Sequence, residues 1–136
     1  MQSVQLRDTS QVGEARRNSV RLAAKIGMSE VAAGRVGIVV TELATNVIRH
    51  GGGGEILIGA YEDSTGYGFE CHAIDKGIGI PDLERALSDG YSTGGTSGTG
   101  LGAVRRQSSV FDVYTRSGKG TCAYSRVSSG RPGPET

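Results

Sequence analysis

The chain has 136 residues, the length of about one domain, enough for a single core and too short for a second. Its 15 basic and 14 acidic residues leave a formal charge of +1, which gives no electrostatic reason to expect nucleic acid or an anionic membrane as the main partner. Cys71 and Cys122 are too isolated for a disulfide framework and read as small apolar strand residues, while His50 and His72 lack the spacing of a zinc site. No uninterrupted apolar run approaches the roughly twenty residues of a membrane helix, and the first eighteen residues hold no long apolar leader segment, so a soluble cytoplasmic protein is expected.

Val4 and Leu6 alternate as in a short edge strand, and Thr9 or Ser10 then caps a helix whose apolar stripe is Ala15, Val20, Leu22, Ala23 and Ile26, ending near Gly27. Ser29 opens a second helix, with Glu30 in the first turn, running to Arg49 or His50. Four glycines, Gly51 to Gly54, forbid its continuation. Glu55 to Tyr61 and Gly68 to Ile74 read as strands joined by a hairpin linker, and a short helix is predicted between Pro81 and Leu87. Residues 88 to 100 are nearly all Ser, Thr, Gly and Asp and predict a flexible loop. Leu101 to Gln107 is the next helix, and Val110 to Thr115 pairs with Thr121 to Val127 as a terminal hairpin. Residues 1–127 therefore form one domain and 128–136 a frayed tail. This order predicts an α/β (α+β) two-layer sandwich, with helices on one face of a mixed, mostly antiparallel sheet.

At about 100° per residue, Glu42, Asn46, Arg49 and His50 share one stripe of the second helix, bordering an apolar stripe of Val36, Val39, Val40, Leu43 and Val47 that faces the sheet. On an arbitrary helix such a polar stripe is a solvated face. Beside an apolar stripe and an abrupt glycine stop, it reads as a site. The Asn46 carboxamide oxygen suits a magnesium ion that also holds phosphates, Glu42 suits the orientation or deprotonation of a hydroxyl, and Arg49 suits a phosphate.

Asp75 ends an apolar strand and is followed by Gly77 and Gly79, so backbone can approach a flat ligand while the carboxylate accepts from an adenine amino group. An Asx turn leading into Pro81 explains the same residues about as well. Gly98, Gly100, Leu101 and Gly102 resemble a dinucleotide fingerprint, but no strand precedes them and that reading fails. They offer either a loop and helix start with anion-binding amides, near Arg105 and Arg106, or a plain linker. Gly118-Lys119-Gly120 lacks the hydroxyl residue of a Walker loop. Thr121 comes near Asp75 if the last hairpin runs beside that strand; otherwise it is an ordinary β-former.

The order Glu-x-x-x-Asn, Asp-x-Gly-x-Gly, Gly-x-Gly-x-Gly and Gly-Thr resembles the ATP-binding domain shared by gyrase, Hsp90, histidine kinases and MutL, over about residues 10 to 127. The run from Thr41 to Gly54 is similar to that of the bacterial anti-sigma-factor serine kinases, and most of all to the stressosome switch kinases. The resemblance implies the Bergerat fold, with ATP and Mg2+ as cofactors. It implies Asn46 as metal ligand, Glu42 as base for a substrate serine or threonine, and Asp75 with Thr121 at adenine. Gly77 and Gly79 would shape that pocket, and Gly98, Gly100 and Gly102 would belong to the lid, with Arg49, His50 and Leu101 counted as further nucleotide-binding candidates. It implies a STAS-domain antagonist as substrate and a phosphatase as downstream partner. The neighbouring role, an anti-sigma factor that sequesters a sigma factor, uses the same pocket, and a homodimer is compatible with both. An autophosphorylating histidine kinase is not expected, since no histidine-bearing dimerisation helices are present, nor is gyrase-like work without a transducer domain.

Overall fold

The computed structural model describes residues 1–88, 92–93, 96–97 and 100–132. The chain order is β1 (Gln2–Leu6), α1 (Thr9–Lys25), α2 (Glu30–Arg49), β2 (Gly54–Asp63), β3 (Gly66–Asp75), α3 (Leu83–Ala86), β4 (Ser92–Thr93), β5 (Thr96–Ser97), α4 (Leu101–Gln107), β6 (Val110–Arg116) and β7 (Gly120–Ser128). Five strands form one sheet in the order β1-β2-β3-β7-β6, and β4 pairs with β5 in a second.

Every pairing in the large sheet is antiparallel, so the mostly antiparallel sheet expected from the sequence is present without a parallel pair. The reason lies in the connections. Between β1 and β2 the chain goes out along α1 and back along α2, so β2 begins where β1 ended, with Leu6 opposite Gly54. β2–β3 and β6–β7 are hairpins, and neither kind of connection can place parallel neighbours side by side.

Asp8, one residue earlier than the sequence suggested, caps α1: its carboxylate accepts from Ser10 N–H at 2.9 Å, and the Gln11 side chain reaches back to the cap backbone. The Ser10 hydroxyl, and after it the Ser10 N–H, donate to the carboxylate, stabilise its ionised form and hold the Asp8 carboxyl below its usual range. Ser29 caps α2 as expected, accepting from Ala32 N–H at 3.1 Å. α2 has the length and mean hydropathy of a bilayer-crossing helix, but Glu30, Arg35, Glu42 and Arg49 recur along it and its apolar stripe is buried inside the domain.

Period-2 alternation sends Val4, Leu6, Ile56, Ile58, Phe69, Cys71 and Val127 to the inner face of the sheet, against Val36, Val39, Val40 and Leu43 of α2. Each such large side chain stabilises by about 1.5–3 kcal/mol when fully buried. Cys71 is enclosed there, and burial pushes its thiol up to about 12. The outer face is polar: Tyr124 donates to Glu70 at 2.6 Å, and Arg126 bridges Tyr124 and Asp63 while lying over the Tyr61 ring.

Ser128 and Ser129, expected to belong to a frayed tail, are held in the fold. Ser128 still pairs with Gly68, and Ser129 is buried, donating to Tyr67 C=O at 2.9 Å and accepting from Ser29 N–H at 2.8 Å. These are backbone bonds that a polar composition does not reveal. The expected glycine-rich loop lies largely outside the described residues, apart from the two-residue ladder of β4 and β5.

Candidate nucleotide site

A cleft of about 270 Å³ opens between the C-terminal half of α2 and the ends of β3 and β7. Its walls are Leu43 and Val47 from α2, Leu101 from α4, and Ile78, Ile80 and Pro81 from the segment after β3. Ala73 and Ala123 lie directly opposite each other in the sheet and also line it. Any larger pair at these inward positions would fill the cavity. A flat apolar slot with polar groups converging at one end is the usual form of a small-molecule site.

Those polar groups are Asn46, Arg49, His50, Asp75 and Thr121. The structure therefore brings together the helix stripe, the Asp75 strand end and Thr121, as the sequence suggested. Asp75 and Thr121 are cross-strand partners. Glycines surround Asp75: a methyl on Gly51 would stand 2.7 Å from Asp75 Oδ2, and one on Gly77 would stand 2.7 Å from Gly51 Cα. The turn expected at Asp75 is present, its Oδ1 accepting from Gly77 N–H at 2.9 Å, and Asp75 also lines the slot. Gly79 has φ +84, and a side chain there would meet Arg116 C=O at 2.6 Å, so glycine is required.

Asn46 carries the clearest chemical signature. Its Nδ2 is buried with no hydrogen-bond partner among the described residues, in a side chain that lines the cleft. The other such atoms, Ser19 Oγ and His72 Nδ1, lie away from it. A buried amide left unpaired costs about 1–3 kcal/mol, which a ligand group in the cleft would recover. The two ends of the amide are exchangeable, so either can turn to a ligand. Among the described residues no group of three His, Cys, Asp or Glu could hold a metal alone. A carboxamide that shares a magnesium ion with phosphate oxygens and water fits this donor set.

Glu42 does not line this cleft. Its carboxylate lies against Gly100, where an added methyl would stand 2.8 Å from Glu42 Cδ, and its other side borders the groove between α1 and α2. Gly100 caps α4 in the left-handed conformation with φ +74, and Gly102 is buried in the first turn. Among the described residues of the glycine-rich motif only Leu101 lines the cleft, and Gly77 stands behind Asp75. Gly98 lies outside the described residues.

Thr115 is a residue the sequence reading passed over. Its Oγ1 accepts from Ile80 N–H at 2.8 Å and lies 3.0 Å from Thr121 Oγ1, tying the segment after β3 to the last hairpin. The turn at Ser117–Lys119 already pairs 115 with 121, so register alone could have found it. On the outer face, burial and then the nearby Asp75 carboxylate push the Cys122 thiol up.

The profile of the histidine kinase-like ATPase domain matches residues 6–126. Serine/threonine-protein kinase RsbT of Bacillus subtilis (strain 168) is 35% identical over 107 residues, covering 79% of this chain and 80% of that protein. The catalytic domain of histidine kinase ThkA superposes with a TM-score of 0.52 at 16% identity, covering 95% of this chain and 97% of that one. The histidine kinase domain of a blue-light activated kinase from Erythrobacter litoralis gives 0.51 at 17% identity, over 88% of this chain and 60% of that one. These two likenesses concern the fold, a helix layer on an antiparallel sheet. The chain belongs to the histidine kinase-like ATPase domain family, and the cleft beneath α2 lies within its matched span.

Proposed function

We propose that the chain is an ATP- and magnesium-dependent serine/threonine protein kinase of the partner-switching type. The single observation that carries this reading is the unpartnered Asn46 amide facing a slot closed by Asp75 and Thr121. The likeness to a serine/threonine kinase supports the reaction type. Bound magnesium-ATP supplies a γ-phosphoryl group whose transfer depends mainly on positioning and electrostatics. Asp75 and Thr121 orient the base, Asn46 holds the metal, and Arg49 and His50 stand at the phosphate side of the rim. Glu42, one turn before Asn46, takes the proton of an incoming serine or threonine hydroxyl. The proposed substrate is a STAS-domain antagonist, with a phosphatase regulated downstream.

Incubation of the protein with γ-labelled ATP and candidate STAS-domain proteins tests this. Label is expected on the STAS partner, with Glu42→Gln abolishing transfer but leaving ATP binding intact. Undiminished transfer in that variant removes Glu42 from its role.

A second reading is favoured by the contact of Glu42 with Gly100 rather than with the cleft. In it nucleotide sets the position of α4, and the output is capture of a sigma factor. Pull-down of sigma factors with and without ATP decides: capture that depends on nucleotide, with no label transferred, supports this version.

A further inference from the structure

We propose that Thr115 is a positioning residue that turns Thr121 into a hydrogen-bond donor toward the cleft and so selects the purine; this rests on the nucleotide reading above. Thr115 stands in β6 directly opposite Thr121 and does not itself line the cleft. Three groups surround its Oγ1: Ile80 N–H at 2.8 Å, Thr121 Oγ1 at 3.0 Å and Gly120 C=O at 3.3 Å.

A hydroxyl has one proton to give and two lone pairs to receive. Ile80 N–H occupies one lone pair of Thr115. Of the two remaining contacts we assign the proton to the shorter, Thr121 Oγ1 at 3.0 Å, in preference to Gly120 C=O at 3.3 Å. Thr121 then receives on the side of Thr115 and can give only away from it, into the slot that it lines. Across the strand pair stands Asp75, a carboxylate that only accepts.

The slot therefore ends in a donor beside an acceptor. A base edge with a bare ring nitrogen next to an exocyclic amino group, as in adenine, matches that order. An edge with a ring N–H next to a carbonyl, as in guanine, sets donor against donor and carbonyl against carboxylate. The Ile80 bond also fixes the apolar wall that packs on the ring, and Gly118 N–H holds Ile78 C=O at 3.0 Å from the same hairpin. Thr115 thus sets both the direction of one hydrogen bond and the place of the wall.

Titration calorimetry with magnesium-ATP and magnesium-GTP tests the inference on the full chain, Thr115→Val, Thr121→Val and the double variant. Thr115→Ser serves as the hydroxyl-retaining control, and circular dichroism checks folding. Thr115→Val is expected to lower the ATP-over-GTP preference by about three- to tenfold. Thr115→Ser should keep the preference, and the double variant should lose no more of it than Thr121→Val alone. If the valine variant does not fold, Thr115→Cys, whose thiol is a weak donor of similar volume, is read the same way. An original chain that binds both nucleotides equally, a Thr115→Val that weakens both by one factor, or full additivity with Thr121→Val overturns the inference. An original chain with affinity for neither nucleotide defeats the site assignment as a whole, a result distinct from an unchanged preference.

Discussion

At one wall of the cleft Gly51 and Gly77 crowd Asp75 and Thr115 anchors Ile80, whereas at the other α4 begins on a left-handed glycine that has no side chain to cap it. In the function proposed above the first wall takes the base, and hydrogen-bond directions there must be correct before a ligand arrives. The second meets α2 through the end of the Glu42 side chain, a contact that can shift by rotamer alone. The contrast teaches that glycine serves two purposes within one motif set: at 51 and 77 it permits close packing, and at 100 it permits an unusual backbone.

Substitutions can break this contrast. Gly51→Ala drives a methyl into the carboxyl of Asp75, which is held in place by Gly77 N–H, so stability should fall by about 1–3 kcal/mol and nucleotide binding should vanish. Thermal unfolding and titration calorimetry measure both. Ala123→Leu fills the slot between the walls: binding heat should disappear while unfolding free energy moves by about 1 kcal/mol or less, because the added atoms enter existing space. Retained ATP affinity in this variant would place the ligand elsewhere.

Asn46→Ala removes an amide with no partner, so the apo protein should be as stable as before or slightly more so. Affinity for magnesium-ATP should nonetheless fall about ten- to hundredfold, and the difference between titrations with and without magnesium should shrink. Gly100→Ala is the milder counterpart of Gly51→Ala. Strain at φ +74 costs about 1–2 kcal/mol, while Glu42 can swing aside. Destabilisation equal to that of Gly51→Ala would show that the two walls are equally rigid and would end the comparison.

Much of the Asp75 wall was legible in the chain. Helical periodicity placed Asn46 beside Leu43 and Val47, the glycine run marked the end of α2, and the turn at Gly118 set Thr121 opposite Asp75. Each of these signals is local, or follows from a hairpin register that local residues decide. The contact of Glu42 with Gly100 was not legible, because it depends on where α4 docks and no local rule places that helix. Nor was the alanine pair at 73 and 123, since a small residue at an inward strand position looks the same beneath a helix as beneath a cavity. The antiparallel sheet followed from the out-and-back course of α1 and α2, a property of their packing.

The docking of Ser129 beside the start of α2 has a consequence far from where it occurs. α2 has 20 residues and is therefore about 30 Å long, with Ser29 at one end and Asn46 near the other. A chain cut after Val127 would strand the Ser29 amide and the Tyr67 carbonyl, both now satisfied by Ser129. The helix that presents Asn46 would lose its tether at the opposite tip. Tags and fusions belong beyond Arg131, and a clipped product could lose nucleotide affinity with every residue of the cleft intact.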